Sequence, residues 1–104
     1  MQDNTIDSLI TKIKENKEMY RRKSSGASEH DLLIKESNLR KFDWCVLNLK
    51  DSLSFQKAEQ YYEYAQSIGR AIKRNKCKDR LVIESFRLIY TYMLHRSNSQ
   101  VKEK

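Results

Sequence analysis

The chain has 104 residues, a formal charge of +7 and 34% charged side chains, and its longest apolar run is the four residues Trp44-Cys45-Val46-Leu47. Runs that short exclude a helix crossing a bilayer, which needs about 20 apolar residues. The length suits one domain with one core, since domains cluster at about 100 to 150 residues.

Leu, Ile, Val and Phe supply 24 of the 104 residues, above the share of roughly 20% below which strong charge keeps a chain unfolded. There is no proline, and Gly26 and Gly69 are the only glycines, so little in the sequence breaks a helix. Strand-like alternation is absent. Ile6, Leu9, Ile10, Ile13 and Tyr20 recur at helical spacing behind the capping candidates Asp3, Asn4 and Thr5, predicting a first helix from about 5 to about 23.

The stretch SSGAS follows as the clearest loop, with Gly26 available for a positive φ and Ser28 for a cap. Asp31, three residues on, gives a weak capping box. A second helix, about 29 to 50, carries Leu32, Leu39, Phe42, Val46 and Leu49 on one face. Leu33, Ile34, Trp44, Cys45 and Leu47 spill beyond that stripe, predicting cover on more than one side.

Asp51, Ser52 and Ser54 are cap candidates for a third helix, although a kink in one long helix fits the same residues. Phe55, Ala58, Tyr62, Ala65, Gly69 and Ile72 alternate spacings of three and four, a coiled-coil-like seam. On that seam Gly69 points to close approach of a neighbouring helix. Asp79 is the expected cap of a fourth helix, about 80 to 96, with apolar residues on most sides, which belongs at the centre of a bundle or in an interface between chains. The expected fold is all-α, a small up-down bundle of about four helices, three long ones plus an N-terminal helix. Residues 1–97 form a single helical domain and 98–104 a flexible tail.

In that topology the ends of the first and third helices share a pole. It gathers Arg21, Arg22, Lys23, Arg70, Lys73, Arg74, Lys76, Lys78 and Arg80, a set suited to gripping phosphates. Basic residues also favour the last turn of any helix, where they complement its dipole, so this pole has a purely structural reading as well.

Catalytic and metal signatures are missing: there is no glycine-rich phosphate loop and no HExxH, CxxC or GxSxG pattern. Cys45, Cys77, His30 and His95 do not converge on one metal in this topology, and Cys45 lies too far along its helix to pair with Cys77. Lys76 and Lys78 favour the Cys77 thiolate. The opening MQDNTIDS lacks the regions of a secretory signal, and the expected setting is cytoplasmic.

These features point to a non-enzymatic regulator, adaptor or inhibitor that binds another protein, with no cofactor, no metal and no membrane span. Its interface would use the surplus aromatics Trp44, Tyr61, Tyr64, Tyr90 and Tyr92. Self-association is a second use of that surface. The alternative is a nucleic-acid-binding accessory protein that uses the basic pole.

Overall fold

The computed structural model describes residues 3–23, 26, 28–74 and 79–102. Four α-helices follow one another: α1 (Asp3–Arg22), α2 (Glu29–Asp51), α3 (Ala58–Arg74) and α4 (Arg80–Lys102), with a 3-10 turn at Ser52–Ser54 between α2 and α3. Among the described residues there is no strand.

The starts of α2, α3 and α4 each use a local polar device. Ser28 Oγ accepts from the Asp31 amide at 3.1 Å to begin α2. The Asp79 carboxylate accepts from the Leu81 and Val82 amides at 2.8 and 3.4 Å to begin α4. The start of α3 differs from expectation. Asp51, Ser52 and Ser54 do not cap it; Ser52 instead closes α2, its Oγ donating to the Leu49 carbonyl at 2.7 Å. The Gln60 side chain reaches back to the amides of Gln56 and Lys57 at 2.7 and 3.0 Å, the half of a capping box in which the N3 residue serves the chain before the helix. Residues 55–57 lie outside any helix, so α2 and α3 are separate helices.

The seam of α3 differs from the expected one, and Phe55, where that count began, is extended and outside the helix. The buried residues are Tyr61, Ala65 and Ile68, and Tyr62 is exposed. Gly69 remains at a close approach: a Cβ there would stand 3.2 Å from Tyr90 Cε1. Gly26 serves space rather than conformation, since no described glycine has a positive φ and a Cβ at Gly26 would collide with the Asp31 carboxylate.

The helix α4 is the centre. It packs on α1, α2 and α3; α1 and α2 also pack on each other, whereas α3 packs mainly on α4. Val82, Phe86, Ile89 and Met93, at spacings of four, three and four, form its buried stripe. Ile6, Ile13 and Tyr20 come in from α1, Phe42, Cys45 and Leu49 from α2, and Tyr61, Ala65 and Ile68 from α3. Cross-contacts give the directions. Asn16 of α1 reaches Glu84 and Ser85 of α4 and Lys23 reaches Asp79, so these helices are antiparallel. Arg96 stacks on Tyr61 while Tyr90 meets Gly69, so α3 and α4 are antiparallel too.

Two expectations change. With no glycine or proline after Asp79 to stop it, α4 continues to Lys102, so the segment expected as a tail from residue 98 is helical as far as 102. The N-terminal part of α2 is not covered on several sides. From residue 28 to residue 37 no side chain is buried, and Leu32, Leu33 and Ile34 are 53%, 57% and 46% exposed. The first buried residue is Asn38, which donates to Tyr20 Oη at 2.8 Å. Since α1 ends at Arg22 and α4 begins at Arg80, neither runs far enough to cover the preceding turns of α2.

The core stripe sets a stability test. Ile68→Ala and Ile89→Ala are each expected to lower the unfolding free energy by about 2 to 5 kcal/mol, because both side chains are wholly buried. Leu33→Ala should stay within about 0.5 kcal/mol. Chemical denaturation monitored by circular dichroism reads all three.

Candidate docking surface on α4

Helix α4 is apolar on more sides than its three neighbours cover. Beyond the buried stripe, Leu81, Leu88 and Tyr92 recur at spacings of seven and four and remain partly open. With Leu9 of α1 they floor a groove of about 670 Å³ along the outer side of α4. Arg80, Glu84, Arg87 and His95 follow its edge, and all four are exposed. Glu84 accepts from Asn16 Nδ2 at 3.0 Å. Among the described residues neither Arg80 nor Arg87 has a carboxylate partner, so the groove has an apolar floor and an edge that carries two arginines, the Glu84 carboxylate and His95.

Of the five aromatics expected at an interface, Tyr92 lines this groove. The others serve packing. Trp44 lies against Phe86 with ring centroids 5.3 Å apart, Tyr64 meets Phe55 at 5.1 Å, and Tyr90 sits over Gly69. Tyr61 is 3% exposed and its hydroxyl donates to the Ser52 carbonyl at 3.0 Å, so it is a core residue and not a surface anchor; the exposed member of that tyrosine group is Tyr62.

The basic pole is partly assembled and partly neutralised. Antiparallel packing brings the ends of α1 and α3 to the end at which α4 starts. There Arg21 and Arg22 both pair with Glu18, at 2.7 and 3.4 Å. Lys23 pairs with Asp79 at 2.8 Å and lies 6.0 Å from the centre of the Tyr20 ring. Arg70, Lys73 and Arg74 are exposed, with no carboxylate partner among the described residues. Lys76 and Lys78, with Cys77 between them, lie outside the described residues.

Asp79 thus joins three parts: the cap of α4, the end of α1 and the pole. Burial acts to raise its pKa, but the Lys23 ammonium and the Leu81 and Val82 amides overcome that, and the net shift is downward. In Cys45, burial alone pushes the thiol up to about 12, so it is an inert core group at neutral pH. Among the described residues no group of three or more His, Cys, Asp and Glu is placed to hold a metal ion, and no helix is long and apolar enough to cross a membrane.

Sequence reasoning missed Leu9, Arg87 and Leu88 as groove residues. The signal was the apolar surplus of α4, but which part of that surplus stays open depends on where three other helices land. Comparison with protein-family models, with curated proteins and with solved structures finds no significant match.

Two measurements follow. Asp79→Ala should cost about 1 kcal/mol at neutral pH through the lost cap. Because the native pKa is lowered from the ordinary 3.8, the ionic part of that stability is present above the unfolded-state value and disappears as pH falls through the native one. The difference between wild type and variant should therefore shrink in acid. For Cys45, stability should decline as pH rises past about 9, where the unfolded chain releases the proton that the native chain keeps. A Cys77→Ser background isolates the effect, and its absence in Cys45→Ala confirms the source.

Proposed function

We propose that the protein is a non-enzymatic binding module, a small regulator, adaptor or inhibitor, that holds an amphipathic helix of a protein partner along the α4 groove. One observation carries this reading: Leu81, Leu88 and Tyr92 line an apolar groove that stays partly open, and Arg80 and Arg87 stand beside it without carboxylate partners among the described residues. A groove of this kind fits the helix-in-groove mode, in which apolar anchors at i, i+3 or i+4 and i+7 supply affinity. Charge at the edge selects orientation and partner, here favouring acids flanking the anchors.

The test is selection of helical peptides from a displayed library, followed by titration of the winners. They are expected to carry that apolar spacing with acidic flanks. Leu88→Asp should weaken binding at least about tenfold, the equivalent of about 1.4 kcal/mol, and Tyr62→Ala should leave it unchanged. Selection that yields no peptide sensitive to Leu88→Asp removes the groove from consideration.

A second reading, a nucleic-acid accessory role, is favoured by the exposed Arg70, Lys73 and Arg74 on α3. With Arg21, Arg22 and Lys23 held by acids, that grip rests, among the described residues, on about four phosphate contacts, Arg80 being the fourth. It predicts that labelled DNA or RNA loses roughly 100-fold in affinity between about 50 and about 200 mM salt, and that Arg74→Glu weakens binding further. Absence of binding at the lower salt eliminates it.

A further inference from the structure

We propose that the occupant of the α4 groove is a second copy of this chain, whose first turns of α2 lie along the groove of its neighbour. The inference rests on the groove being a docking surface, and it names the partner from two unmatched features of the same molecule.

The first feature is the uncovered start of α2. Nine residues, 29–37, extend about 13 Å at 1.5 Å per residue with no buried side chain. Leu32, Leu33 and Ile34 nevertheless lie there, each about half exposed. Leaving three large apolar side chains in water forgoes the main source of folding free energy, and no described residue buries them. Glu29 and Asp31 stand in the same turns and have no cationic partner among the described residues. An acidic, apolar helix end is thus mounted on a chain whose formal charge is +7.

The second feature is the groove. From Leu81 to Tyr92 its floor runs about 16 Å by the same rise, long enough for the α2 segment. Its apolar floor can take Leu32 and Leu33, which share a helix face with Glu29, and Arg80 and Arg87, without carboxylate partners among the described residues, can meet that acid. Two molecules of like net charge repel at long range; opposite local charges at this contact offset that repulsion and fix which end approaches which groove. The two surfaces differ and each molecule carries both, so every contact pairs the helix end of one copy with the groove of another.

Sedimentation velocity across micromolar to millimolar concentrations should show the wild-type mass rising above the 12.5 kDa of one chain. Leu33→Asp removes the helix end and keeps the groove; Leu88→Asp removes the groove and keeps the helix end. Each variant alone should stay at 12.5 kDa, and an equimolar mixture should recover a dimer through the one intact pair of surfaces. Circular dichroism checks the fold, and Arg87→Glu, at an exposed position, replaces Leu88→Asp if that variant loses helicity. A single 12.5 kDa species at every concentration, association that survives both variants, or a mixture that stays monomeric overturns the proposal. Peptides selected on the groove still bind in that event if the docking reading is right, so failure of the self-contact and failure of the groove are told apart.

Discussion

Burial of the Val82, Phe86, Ile89 and Met93 stripe is the constraint on which the other elements depend. Every other helix packs against α4. Three helices laid around one rod cover most of its circumference and leave the remainder open. The groove is that remainder, so the candidate site is a consequence of the packing that holds the fold together. Helix α3 illustrates the dependence: it packs mainly on α4 and is otherwise tied by the Tyr61 hydroxyl on Ser52 and by the rings of Phe55, Tyr61 and Tyr64.

Polar groups inside this packing select the arrangement rather than maximise stability. Asn16 is fully buried between α1 and α4. Its amide nitrogen reaches Glu84 and Ser85, while its Oδ1 is left without a protein partner. Arg96 is similar: its guanidinium lies over the Tyr61 ring, with Nε unpartnered. Buried polar atoms without partners cost about 1 to 3 kcal/mol each. A buried asparagine that finds its partner in only one alignment sets helix register, as polar core residues do in coiled coils. Asn38 on Tyr20 Oη plays the same part between α1 and α2.

Charge is distributed unevenly for related reasons. At the pole, Lys23 and Asp79 join the end of α1 to the start of α4, and Glu18 holds two arginines, so several cations there are structural. Along the groove, Arg80 and Arg87 lack such partners among the described residues. The uncovered start of α2 has Glu29 and Asp31 without cationic partners among the described residues. A reading by composition sees only a basic protein; the folded chain separates used charge from unused charge, and the unused charge lies beside the unused apolar surface.

Periodicity and capping residues alone determined that the chain is helical, where Ser28 and Asp79 start α2 and α4, that α4 is apolar on most sides, and that Gly69 marks a close approach. These are properties of short segments, set by local hydrogen bonding and by the pitch of a helix. Tertiary structure decided the rest. Which of Tyr61 and Tyr62 enters the core depends on how α3 lies against α4. Whether Leu32, Leu33 and Ile34 are core or surface depends on where α1 stops and α4 begins. The open side of α4 was fixed when three other helices took their places around it. A residue's type and spacing say that it is suited to burial; only the lengths and positions of its neighbours say what buries it.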